Sequence, residues 1–284
     1  MKRAALHNLG CKVNAYETEA MEELLKKDGF TIVGFEEVAD VYVINTCSVT
    51  NIADRKSRQM IHKCKKQNPD ACVVAAGCYV QNFGKDIASE LGADIILGNN
   101  KKNDLVEKVH EYFMNLDKND GPILDCFDIN DGNVAYENMR IEKDSEHTRA
   151  FVKVQDGCNQ FCTYCIIPFA RGRIRSRDID DVVSEVTGLA DAGYKEVVIT
   201  GIHLSSYGSG YDYDLADLLE RVQQIEHIER IRMGSLEPQI VTEDFASRVS
   251  ALSKMCPHFH LSLQSGCDSV LKRMNRKYTI EEYT

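Results

Sequence analysis

Cysteine is the residue type whose spacing carries the most chemistry in this chain. Within GCNQFCTYCIIPFARGRIRSR, Cys158, Cys162 and Cys165 stand at C-x3-C-x2-C. They follow the alternating run Phe151-Val152-Lys153-Val154, so a strand entering a loop brings three thiols around one point. A structural zinc closes a tetrahedron with four ligands, and no fourth Cys or His occurs in the next ten residues. A [4Fe–4S] cube also has four corners, normally all held by Cys. With three of them filled, one iron stays open to a small molecule, by the logic that leaves catalytic zinc an open position. Three packed cysteines, or a zinc completed by a distant ligand, are the competing readings; the open cluster is preferred to both.

A second set is dispersed. Cys11 follows Gly10, Cys47 lies within NTCSVTN, and Cys78 follows Gly77, each after a short apolar run. The elements that must position them alternate. Residues 3–8, 41–45, 72–76 and 94–97 read as strands, and 15–27, 52–67 and 103–114 as helices. That alternation predicts a parallel sheet with helices on both faces over residues 1–116. Ligands collect outside the carboxyl ends of such strands. The three cysteines fall at those ends and are expected to converge on a further three-thiol site. Cys64, Cys72, Cys126, Cys256 and Cys267 read as packed or incidental thiols.

Residues 117–149 are polar, interrupted by Gly121, Pro122 and Gly132, and read as a linker holding one strand pair at most. The pattern restarts in residues 150–284 with strands at 151–155, 196–200, 230–233 and 258–263. Helices at 178–192, 215–225 and 243–252 separate them, with Asp178 as a cap. Repeated βα units predict a parallel barrel or partial barrel with its active site at the carboxyl ends of the strands. Those ends carry the cysteine loop, Thr200-Gly201-Ile202-His203, Gly234-Ser235-Leu236-Glu237 and Gln264-Ser265-Gly266.

The chain has 284 residues, 43% hydrophobic and 27% charged with no tryptophan, which suits two globular domains. Nothing resembles a membrane span, and MKRAALHNLGCKVN lacks the apolar core of a signal peptide. A cytoplasmic location is expected, where eleven cysteines serve metals or catalysis rather than disulfides. A net charge of −10 argues against a broad nucleic-acid surface. RNA contact would have to come from local patches: Arg171, Arg173, Arg175 and Arg177; Arg55, Lys56 and Arg58; or Lys272, Arg273, Arg276 and Lys277.

The C-x3-C-x2-C spacing is similar to the signature of the radical S-adenosylmethionine (SAM) enzymes. With NLGCKVNAYETEA near the start and HLSLQSGCDSVLKRMNRKYT near the end, the longer string resembles the methylthiotransferases over essentially the whole chain. Within them it looks most like the branch acting on N6-threonylcarbamoyladenosine in the anticodon loop of tRNA. The resemblance implies two [4Fe–4S] clusters: one on Cys158, Cys162 and Cys165 that binds and cleaves SAM to a 5′-deoxyadenosyl radical, and an auxiliary one on Cys11, Cys47 and Cys78 that delivers a methylated sulfur to C2 of the adenosine. A second SAM would supply the methyl group.

For SAM itself, Gly201 admits the methionyl amine to the backbone. Ser235 and Glu237 are expected to bind ribose hydroxyls, and Gln264 and Arg276 to supply polar contacts, Arg276 to a carboxylate. Arg171 to Arg177 are expected to meet an anionic substrate. Relatives acting on isopentenyladenosine-tRNA or on a ribosomal protein share both clusters and are the nearest alternatives. A non-enzymatic zinc-binding RNA module, or an inert fragment, is the alternative of another class. The family's barrel has six strands, whereas four βα units are visible here and the chain stops at Tyr283-Thr284. A C-terminally truncated chain is therefore expected, without the glycine-rich fifth-strand motif and the RNA-binding TRAM domain.

Overall fold

The computed structural model describes residues 2–115, 121–132, 134–142 and 149–284, with positions 84, 85, 87 and 89 as backbone only. It divides into two compact units, residues 1–139 with 169–171, and residues 140–168 with 172–284.

The first unit is built on six strands, β1 (Arg3–Asn8), β2 (Thr31–Ile32), β3 (Val41–Thr46), β4 (Cys72–Gly77), β5 (Ile95–Leu97) and β6 (Ile123–Asp125). Its helices are α1 (Lys12–Lys27), α2 (Asn51–Gln67), α3 (Cys78–Leu91) and α4 (Leu105–Met114). All strand pairs are parallel, in the order β2-β1-β3-β4-β5-β6. Every residue of β3 and β4 is buried, as central strands of a covered parallel sheet require. The strand order reverses between β1 and β3, the kind of place where open α/β sheets form their crevice. Three elements go beyond the sequence reading. β2 and β6 are too short to leave a periodic trace, and β6 arises from the stretch expected to be linker. Helix α3 starts on Cys78 itself, where the sequence reading stopped at the strand.

The second unit has a four-stranded sheet of β7 (Ala150–Asp156), β8 (Arg175–Ser176), β9 (Glu196–Gly201) and β10 (Arg230–Met233), in the order β10-β9-β7-β8. β7, β9 and β10 run parallel, and β8 pairs antiparallel with β7. The helices that follow β7 are α5 (Ile167–Ala170), whose residues 169 and 170 group with the first unit, then α6 (Ile179–Asp191), α7 (Leu215–Gln223), α8 (Glu243–Ser250), α9 (Asp268–Arg273) and α10 (Ile280–Tyr283). Asp178 caps α6 by accepting from the Asp180 and Asp181 N–H groups, satisfying donors a helix start leaves open.

The strand expected at 258–263 is not formed. That segment meets Leu236 through one isolated bridge at Leu261, and Gln264 turns into the left-handed region at φ +66°, so no ladder propagates. No helix among the described residues is long and apolar enough to cross a membrane.

Candidate metal centres

In the first unit three cysteines occupy the strand-to-helix turns at the carboxyl ends of β1, β3 and β4, beside the reversal in strand order. Cys11 is the N-cap of α1, Cys47 precedes the Thr50 cap of α2, and Cys78 is the first residue of α3. Helix starts present unsatisfied N–H groups that favour an anionic sulfur. Gly10 admits the approach: its φ is +113°, and a Cβ there would stand 2.8 Å from the Cys47 Sγ. Cys47 and Cys78 are buried and Cys11 is an exposed residue. Burial raises the pKa of Cys11 and Cys47 all the same, opposed at Cys11 first by the Arg171 charge and at Cys47 first by the Val49 N–H. Both thiols also sense Cys78 electrostatically, and Cys47 senses Cys11, so the three lie together.

Behind them lies a charged network that the sequence reading missed. Arg171 Nε donates to the Cys78 Sγ at 3.3 Å, and its two NH2 groups donate to Glu17 at 2.5 Å and to the Asn14 Oδ1 at 2.6 Å. Asn99 Nδ2 reaches the same sulfur at 3.6 Å, while its Oδ1 accepts from Lys102 Nζ at 2.7 Å. Lys102 Nζ also stands 3.2 Å from Glu17. Arg171, Glu17, Asn99 and Lys102 are all 0% exposed. The available signal was Asn14 and Glu17, polar residues one turn apart on the buried face of α1.

In the second unit Cys158, Cys162 and Cys165 lie on the loop between β7 and α5. Gly157 makes the exit from β7 at φ +71°, where any Cβ would collide with the Arg173 carbonyl. Cys158 N–H donates to the Gly172 carbonyl and Cys165 N–H to that of Cys162, both at 3.0 Å. The segment following α9 ties the loop down: Thr163 N–H donates to Met274 O at 3.2 Å, and Asn275 Nδ2 to Phe161 O at 3.0 Å. Gln160 N–H reaches the Cys158 Sγ at 3.5 Å, and Arg276 NH1 the Cys162 Sγ at 3.1 Å. Burial pushes the Cys158 thiol up to about 11 and raises Cys165.

The SAM-contact candidates divide. Arg276 pairs with Glu237, whose Oε1 is 3.9 Å from His203 Nε2, so these two candidates meet beside Cys162. Burial, reinforced by Arg276, lowers the His203 pKa to about 4 and keeps that imidazole neutral near pH 7. Gln264 is exposed and accepts from the Tyr164 hydroxyl at 3.2 Å. Ser235 is exposed and bonded to His260 Nδ1 at 3.0 Å. Gly201 ends β9, where a Cβ would stand 2.9 Å from Gln155.

Each set offers three sulfurs, with N–H donors on Cys78 in the first and on Cys158 and Cys162 in the second, the ligand chemistry that an iron–sulfur cluster takes. Among the described residues no three His, Cys, Asp or Glu side chains are spaced to share a single metal ion. Cys64 and Cys72 are buried thiols that burial pushes upward, Cys64 to about 12, as suits packing residues.

The basic run 171–177 requires correction. Arg171 binds Glu17, Arg177 pairs with Glu185, and Arg175 lies 3.8 Å from Asp156; all three are buried. Only Arg173 of the four is exposed. A buried guanidinium demands a carboxylate, and here these pairs belong to the scaffold rather than to a substrate surface.

Residues 152–284 match the Radical SAM superfamily, and residues 3–98 match a family described as Uncharacterized protein family UPF0004. The cysteine loop of the second unit is thus that of a radical SAM protein, which implies a [4Fe–4S] cluster and SAM. The chain is 44% identical over 283 residues to the threonylcarbamoyladenosine tRNA methylthiotransferase MtaB of Bacillus subtilis, covering 99% of this chain and 62% of the relative. It is 41% identical to the protein of the same name from Aquifex aeolicus, covering 99% of this chain and 67% of the relative. A tRNA-2-methylthio-N(6)-dimethylallyladenosine synthase of Ehrlichia canis is 35% identical, with 100% of this chain and 65% of the relative covered. The chain belongs to the radical SAM methylthiotransferase family. It spans roughly two thirds of the length of these curated relatives. Among solved structures, the radical SAM methyltransferase TsrM of Kitasatospora setae, with cobalamin and a [4Fe-4S] cluster bound, superposes with a TM-score of 0.67. It is 15% identical, with 99% of this chain and 63% of TsrM covered, so that likeness concerns the fold.

Proposed function

We propose that this chain carries the two cluster-holding domains of a cytoplasmic tRNA methylthiotransferase that converts N6-threonylcarbamoyladenosine in the anticodon loop to its 2-methylthio derivative. What supports the reading is three cysteines on neighbouring turns or one loop in each unit, with N–H donors on Cys78 in the first and on Cys158 and Cys162 in the second. When bound, a cluster with SAM at Cys158, Cys162 and Cys165 supplies radical hydrogen abstraction, and a second [4Fe–4S] cluster at Cys11, Cys47 and Cys78 supplies the sulfur to be transferred.

The chain's own residues hold and orient. Arg276 donates to the Cys162 sulfur and locks Glu237, so the carboxylate is presented beside the cysteine loop. Arg276 Nε and His203 Nδ1 are buried without a hydrogen-bond partner, and a bound SAM is the group proposed to satisfy them. Gly201 at the end of β9, Ser235 after β10 and Gln264 between α8 and α9 are the remaining proposed contacts.

Anaerobic reconstitution with iron and sulfide is expected to load about eight irons per chain as two four-iron clusters. Cys158→Ala should lose about four of them and keep the other four. Electron paramagnetic resonance of the reduced protein should change on adding SAM in the native chain and not in that variant. Substrate is read by mass spectrometry of tRNA nucleosides after reaction with tRNA carrying either threonylcarbamoyladenosine or dimethylallyladenosine. A methylthio product on the second alone would move the assignment to the sister branch. Colourless protein holding zinc would sink the enzyme reading.

A further inference from the structure

Arg171 follows the cysteine loop in sequence, yet it groups with the first unit and is fully buried there. Its guanidinium fills three directions at once, toward the Cys78 Sγ, Glu17 and Asn14. Glu17 meets a second buried cation, Lys102, which is fixed in turn by Asn99, and Asn99 reaches the Cys78 sulfur as well. One cysteine sulfur therefore receives two side-chain N–H groups, one of them cationic, from residues with no exposure to water. Cys78 heads α3, so the helix start adds positive potential at the same point. Charge and hydrogen bonds to the sulfurs are among the levers that set an iron–sulfur potential, and low dielectric strengthens both.

We infer that Arg171, locked by Glu17 and Asn14, is a positioning residue that sets the reduction potential of the cluster on Cys11, Cys47 and Cys78. The inference rests on the reading that those cysteines hold a cluster, and the test separates the two. The full chain carrying Cys158→Ala, Cys162→Ala and Cys165→Ala leaves one cluster to be read. Its midpoint is followed by redox titration with electron paramagnetic resonance. Arg171→Gln is expected to shift the midpoint negative by about 59 mV or more, a tenfold change for a one-electron couple. Arg171→Lys, which keeps the charge, should shift it less, and Glu17→Gln should shift it positive.

Unchanged midpoints in loaded Arg171→Gln and Glu17→Gln chains overturn the inference and leave the cluster standing. No iron in the triple variant with Arg171 intact overturns the cluster reading itself. Should Arg171→Gln fold without loading iron, Glu17→Gln and Lys102→Met decide: opposite shifts support the electrostatic role, and absent or same-sign shifts overturn it. Loss of iron from every variant with the fold intact by circular dichroism would reduce Arg171 to a structural part.

Discussion

Arginine shows how little a residue type says before its surroundings are known. Arg177 is buried against Glu185, which also accepts from the Ile141 N–H at 2.9 Å. Removing one member of a buried pair strands the other, so Arg177→Met should cost about 3–5 kcal/mol by urea denaturation. Adding Glu185→Gln, which removes the stranded charge and keeps an oxygen acceptor for the Ile141 N–H, should recover part of that loss. Arg173 is the opposite case: it is exposed, with its guanidinium 4.6 Å from the centre of the Phe161 ring. Arg173→Ala should leave the urea midpoint unchanged and lower the salt slope of tRNA binding by about 1, the signature of one phosphate contact. An unaltered slope would remove Arg173 from the RNA surface.

At the scale of elements, the turn out of β7 decides whether the cysteine loop can form. Gly157→Ala would drive a Cβ into the Arg173 carbonyl at a positive φ, and backbone cannot yield as a flexible side chain can. The expected result is about half the iron of the native chain, with the SAM-dependent resonance change lost. Full loading would show that the turn relaxes. Helix α6 offers a milder test, since its first turn depends on the Asp178 side chain. Asp178→Ala should lower stability by about 1 kcal/mol without altering iron content. Both the glycine and the cap stand in the sequence with their spacing intact. The strand expected at 258–263 shows the limit: an apolar run becomes a strand only where a neighbour sustains pairing, and Leu261 finds one bridge.

For the whole molecule, stability toward acid is carried partly by ion pairs joining distant elements. Arg248 on α8 meets Asp217 and Glu220 on α7, at 2.5 and 2.7 Å. Arg248 is the first cause of the lowered Glu220 pKa; at Asp217 burial would raise the pKa, but the Asp214 N–H and Arg248 outweigh it. Carboxyls with depressed folded pKa values contribute stability above their unfolded pKa and lose it as pH falls through the folded value. Both carboxylates are more than a third exposed, so screening leaves about 0.5–1 kcal/mol in all. Urea midpoints of the native chain and Arg248→Gln should therefore differ at pH 7 and converge toward pH 3; a difference constant with pH would refute the pairing. The alternation of strands and helices, the local cysteine triplet and the Asp178 cap were legible in the sequence, because each depends on neighbours within a turn or two. The tertiary structure alone decided that Arg171 turns to Glu17 and Cys78 rather than to a substrate, that β6 joins the first sheet, and that Asn275 ties down the cysteine loop. These contacts join residues far apart in the chain, and burial, which sets what a charge must pair with, exists only once the layers have packed.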